Sequence, residues 1–155
     1  MSERELAEVP FAVTLHLALV EAYERSSHVD TRYFARWGLT PQQYNAMRIL
    51  YFADEKGVRL SEIGERLLQR VPDVSRLVDR LERAGFARRS AHPGDGRVVL
   101  VELTPKGRTL VEDMVADVMD AHEAWYSALT PAEQKRLESL LRKTTAALEA
   151  SLEGP

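Results

Sequence analysis

The chain has 155 residues, 29% of them charged and 45% hydrophobic, with a formal net charge of −3, which suits one domain or two small intimate ones built on a real core. It has no cysteine, which excludes disulfides, thiolate metal sites and thiol redox sensing. The longest apolar stretch, PFAVTLHLALV, is too short to span a bilayer, and the N-terminal MSERELAEV is acidic, so neither a membrane span nor a secretory signal is expected and the cytoplasm is the default location.

Residues 10–36 place Phe11, Leu15, Ala18, Leu19, Ala22 and Tyr23 at helical spacing, with Pro10 at the start and Gly38 closing the segment. Its first stretch is apolar almost all round, as in a helix packed on several sides. Thr40-Pro41-Gln42-Gln43 has the form of a capping box and opens a helix to about Phe52. After a turn at residues 54–57, Val58 and Arg59 suit a very short strand. Ser61 is expected to cap a short helix from Glu62 to Leu68, with Ile63 and Leu67 buried. Pro72 suits the first position of the next helix, in which Val74, Leu77, Val78 and Leu81 recur at i, i+3, i+4 and i+7. Gly85 is placed to end it.

Phe86–Ala91 and Val98–Leu103 then read as two strands around a turn, with Val98 to Val101 the only β-branched cluster in the chain. Thr104-Pro105 starts a helix of about 25 residues, and Thr130-Pro131-Ala132-Glu133 is a second capping box opening a last helix to about Leu152. The expected fold class is mainly α with one small β-hairpin. Two short helices followed directly by a hairpin make a winged helix-turn-helix over residues 39–103, flanked by helices at 1–38 and 104–155.

Charge is unevenly distributed. Residues 59–97 hold nine arginines, no lysine and six acids, an excess of three positive charges, which leaves −6 for the rest. A basic segment in an acidic body points to nucleic acid, and arginine suits phosphate oxygens, guanine edges and narrow grooves. In a helix-turn-helix the second helix enters the major groove by its N-terminal turns. With Val74 inward, Arg70, Pro72, Asp73, Ser75, Arg76 and, one turn on, Arg80 lie at that surface. Arg76 is the best candidate for reading a base. Asp73 either accepts from a cytosine amino group or stabilises the helix N-terminus, and the second reading is preferred.

The hairpin tip His92-Pro93-Gly94-Asp95-Gly96-Arg97 would reach the neighbouring minor groove. Gly94 and Gly96 would let the backbone turn and approach, Arg97 would insert, and Asp95 would orient Arg97 by an ion pair. Arg88 joins these as a further contact from the hairpin.

The run LSEIGERLLQRVPDVSRLVDRLERAGFARR followed by HPGDGRVVLVELTPKG resembles the MarR family of bacterial transcription regulators. The matching elements are Val74-Ser75-Arg76-Leu77, Asp79-Arg80-Leu81-Glu82, Gly85, Asp95-Gly96-Arg97 and Leu103-Thr104-Pro105-Lys106-Gly107. One departure is Gly96, where the family commonly has a first wing arginine; the missing cation either lowers salt-dependent affinity or shifts it to Arg88 and Arg89. The resemblance implies a homodimer on double-stranded DNA, most simply a repressor on a pseudo-palindromic operator. It also implies that the first and last helices of the two chains intertwine. Phe11, Leu15, Leu137, Leu140, Leu141 and Leu148 are more apolar surface than so small a body buries alone, which agrees.

The resemblance further implies release by a small aromatic or lipophilic effector, with Tyr33, Trp37, Tyr44 and Arg48 on helices bordering its crevice and His16 on the apolar side of the first helix; each of these is also an ordinary core or interface residue. No cofactor and no metal are expected. His16, His28, His92 and His122 have no ligand spacing, and no nucleophile–base pair is visible, so an enzyme is not expected. The alternative is a dimeric helical interaction or ligand-binding module without DNA binding, against which the nine arginines speak.

Overall fold

The computed structural model describes residues 10–53, 57–69 and 71–152. In chain order the elements are α1 (Phe11–Ala35), α2 (Pro41–Tyr51), β1 (Val58–Arg59), α3 (Leu60–Arg66), α4 (Val74–Arg83), β2 (Ala87–His92), β3 (Asp95–Leu103), α5 (Pro105–Trp125) and α6 (Pro131–Leu152). The three strands form an antiparallel sheet in the order β1-β3-β2. The chain falls into two compact units, residues 1–111 and 112–155, with the boundary inside α5. The first helix thus groups with the winged helix, because the C-terminal end of α1 packs on α2: Tyr33 and Phe34 are buried, and the Phe34 ring stacks on Tyr44 at 4.5 Å between centroids.

Local chemistry accounts for most boundaries. Thr40 caps α2 by accepting from the Gln43 N–H while the Gln43 side chain accepts from the Thr40 N–H, the reciprocal box expected. Thr130 and Glu133 do the same for α6, and the hydrogen bonds from Thr130 hold the Glu133 carboxyl below its ordinary range. α4 ends in a Schellman motif. Gly85 takes φ +75°, its N–H donates to Glu82 O, and the Phe86 N–H donates to Leu81 O. The core of the first unit is built from one face of each element, with Met47, Ile63, Val78, Leu81 and Val101 fully enclosed. Gly64 is where α3 meets α4: a Cβ there would lie 3.0 Å from Val74 Cγ2.

Several expected bounds need correction. Ser61 does not cap α3. The helix starts at Leu60, directly from β1, because pairing of Arg59 with Leu100 holds the chain extended up to that residue, and Arg59 occupies the cap position without a side-chain bond. The helix also ends earlier, at Arg66, where Leu67 turns extended and inward. Pro72 is not the first residue of α4: Asp73 caps the helix and Val74 begins it. The second strand of the hairpin begins at Asp95 rather than Val98, and α5 spans 21 residues rather than about 25.

Unit two consists of α5 from Glu112 onward and α6. Its buried apolar residues are Met114 and Val118, both on α5. No residue of α6 is buried, although Leu137, Leu140, Leu141 and Leu148 recur along it.

Candidate nucleic-acid interface

α4 presents two stripes beside its buried face of Leu77, Val78 and Leu81. Arg76, Arg80 and Arg83, at i, i+4 and i+7, are exposed. Ser75, Asp79 and Glu82, at the same spacing, lie toward β2, where Arg89 reaches all three. The first stripe is therefore open and cationic, and the second is occupied by the wing. Arg83 was not among the expected DNA-facing residues, yet it completes the open stripe; the i, i+4, i+7 spacing was the signal that would have found it. Arg80, Arg83 and Arg97 have no ion-pair partner among the described residues.

Arg76 is 80% exposed in its side chain, and its guanidinium comes within 3.6 Å of Asp73. Asp73 is the N-cap: its Oδ1 accepts from the Arg76 N–H at 2.9 Å. One carboxylate thus satisfies a helix-end donor and restrains the neighbouring arginine, the structural role preferred from the sequence. Ser75 and Pro72 are exposed beside it. Arg70 lies outside the described residues.

The wing departs from a regular hairpin at its tip. β2 and β3 pair in register from Ala87↔Leu103 to Ala91↔Val99, and the next pair is His92↔Asp95. Gly96, Arg97 and Val98 therefore lie between two consecutive pairs as an enlarged bulge, which re-aims the side chains of that segment. Arg97 sits in this bulge and is exposed. Asp95 does orient it, but through the backbone: Asp95 Oδ1 accepts from the Arg97 N–H at 3.0 Å, and the expected Asp95–Arg97 side-chain ion pair is not formed. An Asx turn satisfies the carboxylate locally and leaves the guanidinium unengaged. His92 Nδ1 accepts from the Gly94 N–H at 3.0 Å, which closes the Pro93-Gly94 turn. Gly94 does not take a positive φ, so the turn does not need its conformational freedom.

Arg88 and Arg89 both have carboxylate partners within the chain. Arg88 faces Glu102 across the strand pair, with Nε 2.9 Å from Oε1. Arg89 is tied to Asp79 and Glu82; burial works against its charge, and the hydrogen bonds and charges of the two carboxylates outweigh this and raise its pKa above the ordinary value.

The wing ends in a staple. Thr104 Oγ1 donates to Gly85 O at 2.7 Å and accepts from the Gly107 N–H at 3.0 Å, and Lys106 Nζ donates to Ala84 O at 2.8 Å. This explains the Leu103-to-Gly107 motif: it fastens the start of α5 to the C-terminus of α4. A second tie runs from α1 and α2 to the loop before α4. Gln42 Nε2 donates to Gln69 Oε1 at 2.7 Å, and Gln69 Nε2 donates to Tyr23 Oη at 3.2 Å. Neither Gln69 nor Tyr23 stood out as functional in the sequence.

Of the expected effector residues, Tyr33 is buried and Trp37, Tyr44 and Arg48 are half-buried around the α1–α2 junction. Burial raises the Tyr44 pKa, opposed by the charge of Arg48, and Arg48 itself donates to Asn45 at 3.2 Å. Trp37 Nε1 is buried with no hydrogen-bond partner among the described residues. His16 is not brought to this group: it is exposed on α1, roughly 25 Å from Tyr33 along the helix axis.

A sequence profile of the MarR family matches residues 37–98. The HTH-type transcriptional regulator YkoM of Bacillus subtilis is 31% identical over 136 residues, covering 88% of this chain and 87% of its own. A mutant MarR of Escherichia coli, solved in complex with operator DNA, superposes with a TM-score of 0.76 at 25% identity, over 86% of this chain and 94% of that one. BpsR of Bordetella bronchiseptica, studied for regulation of its DNA binding by 6-hydroxynicotinic acid, gives 0.73 at 29% identity, over 85% and 98%. With an open arginine stripe on α4, a bulged arginine in the adjoining wing and these relatives, the chain belongs to the MarR family of DNA-binding transcription regulators.

Proposed function

We propose that this chain acts in the cytoplasm as a homodimeric repressor on a pseudo-palindromic operator. The single observation that carries the reading is the exposed Arg76, Arg80 and Arg83 stripe on α4, in a winged helix whose wing carries the exposed Arg97 in its bulge. In this reading Arg76 and its neighbours Arg70, Pro72, Asp73, Ser75 and Arg80 face the major groove, and residues 92–97 face the adjacent minor groove. Residues 39–103 form the DNA-binding domain, and residues 1–38 and 104–155 pair with the partner copy. Two recognition helices related by a two-fold axis would then sit one DNA turn apart, roughly 34 Å.

The same reading includes release by a small aromatic or lipophilic molecule held near Tyr33, Trp37, Tyr44 and Arg48. The unpartnered Trp37 N–H supports it, since a buried donor left alone costs about 1–3 kcal/mol and a ligand acceptor would offset that. The regulation of BpsR by a small aromatic acid is in keeping with it.

Selection of bound duplexes from a random pool at near-physiological salt tests the proposal. The expected product is a two-fold symmetric motif with half-sites about ten base pairs apart. Enrichment of nothing would reject the operator. On the selected site, Arg76→Ala should weaken binding and relax one position per half-site by about 1–3 kcal/mol. An unchanged base preference in that variant would remove Arg76 from base reading.

A further inference from the structure

A chain of polar side chains joins the approach to the recognition helix to the long first helix. Gln42, on the first turn of α2, donates from Nε2 to Gln69 Oε1 at 2.7 Å, and Gln69 Nε2 donates to Tyr23 Oη at 3.2 Å. The three residues come from α2, from the turn between α3 and α4, and from the middle of α1. Turning both amides over would reverse the donors and leave the same three side chains joined.

Gln69 lies four residues ahead of Asp73, the cap of α4. The segment that carries it has few other anchors. Leu67 is buried at its start, but Leu68 is 83% exposed, and Leu68, Gln69, Val71 and Pro72 make no backbone–backbone hydrogen bond among the described residues. The far end of α4 differs: the carbonyls of Ala84 and Gly85 accept from Lys106 and Thr104, which fastens that end to the start of α5. Beyond the packing of its core face, the N-terminal end of α4 takes its position from Arg89, which donates to the Ser75 carbonyl from the wing, and from Gln69 through the turn.

Tyr23 also continues a stripe on α1. Leu15, Leu19 and Tyr23 recur at i, i+4 and i+8, and Leu15 and Tyr23 are exposed at 59% and 54%. Phe34, where α1 packs on Tyr44 of α2, is eleven residues further on, roughly 16 Å along the axis, so the link through Gln69 is a separate attachment. In the dimer proposed above this stripe meets the partner copy.

We propose that Gln69 is a positioning residue: through Gln42 and Tyr23 it fixes the N-terminal end of α4 relative to α1, and thereby sets the half-site spacing that the dimer accepts. The inference rests on the operator reading and adds to it a spacing determinant that touches no DNA. One base pair more or less moves the half-sites by about 3.4 Å and about a tenth of a turn. A dimer that follows such a site must shift its recognition helices against α1, and in the wild type that motion breaks the Gln69 bonds. A variant without them has nothing to break. Losing the bonds thus lowers the penalty for wrong spacing, whereas a loss of folded protein alone lowers binding to every spacing alike.

The test uses full-length protein on the selected operator and on versions with one base pair added or removed between the half-sites. Wild type should bind the selected spacing more tightly than either altered one. In Gln69→Met, which keeps the side-chain length without polar atoms, this ratio of affinities should fall by about two- to tenfold, the size of one or two partly exposed hydrogen bonds. Tyr23→Phe keeps the ring and removes only the hydroxyl. It should lower the ratio by a smaller factor and have no further effect in the Gln69→Met background, because both act on one chain of bonds. Should Gln69→Met fail to fold, Tyr23→Phe carries the test alone.

A spacing ratio that falls in neither variant overturns the proposal, as does a wild type indifferent to spacing. A ratio that falls in Gln69→Met and not in Tyr23→Phe removes α1 from the link and overturns the proposal as stated. A wild type that selects no sequence, or only a single unpaired half-site, fails the operator reading itself.

Discussion

Gly107 shows how much a single position depends on its neighbours. A Cβ there would lie 2.0 Å from the Phe86 carbonyl oxygen and 2.8 Å from its carbon. Both are backbone atoms, so no side-chain rotation relieves the clash. Gly107→Ala is expected to destabilise the fold at or beyond the upper end of the usual overpacking cost, about 1–3 kcal/mol, read as a fall in denaturation midpoint. Gly94 makes the contrast. Its Cβ would meet only the His92 ring, at 3.4 Å, and its φ is not positive, so Gly94→Ala should change stability by less than about 0.5 kcal/mol. If the two substitutions cost the same, the packing argument at Gly107 is wrong. The sequence treats both as glycines beside a motif. Only the distance of approach separates them, and that distance is set where α5 meets the end of α4.

At the scale of elements, the recognition helix and the wing differ in how far they could be read in advance. The buried spacing of Leu77, Val78 and Leu81, the cap at Thr40 and the stop at Gly85 are local signals, carried by residues within a few positions of one another. They were legible. The partners of Arg88 and Arg89 were not, because they lie 7 to 14 residues away on another element and depend on strand register and on the angle between α4 and β2. The Ser75, Asp79, Glu82 stripe was a usable hint, since two acids one turn apart beside a buried face call for a cation. Arg97, by contrast, has no ion-pair partner among the described residues. Arg97→Ala is therefore expected to lower the slope of log affinity against log salt by about 1 for each phosphate it would otherwise neutralise, with no change in melting temperature. An unaltered slope would show that the bulge does not deliver Arg97 to the backbone.

For the molecule as a whole, α6 is the informative element. It carries Leu137, Leu140, Leu141 and Leu148 at exposures of 39% to 51%, and none of its residues is buried. Phe11 and Leu15 on α1 are exposed at 78% and 59%. A helix with an apolar stripe is stable in water when that stripe is covered, at about 25 cal/mol per Å² of apolar surface. In the proposed dimer the partner copy covers it. Leu140→Glu combined with Leu141→Glu should convert the protein to a monomer in sedimentation velocity and reduce operator affinity by more than about tenfold, because each half-site would then bind alone. A double variant that still sediments as a dimer would place the interface elsewhere.

The sequence by itself determined the class of fold, the order and most bounds of the helices, the winged helix-turn-helix and the arginine-rich character of residues 59–97. These rest on periodicity, caps and turns, which act over a few residues. Tertiary structure alone decided which arginines remain open: Arg88 and Arg89 are held by carboxylates, Asp95 serves a backbone N–H instead of a guanidinium, and His16 stands apart from Tyr33 and Trp37. The physical reason is that an ion pair is chosen by proximity in space, and proximity between a strand and a helix follows from packing angle and register, which no short stretch of sequence encodes.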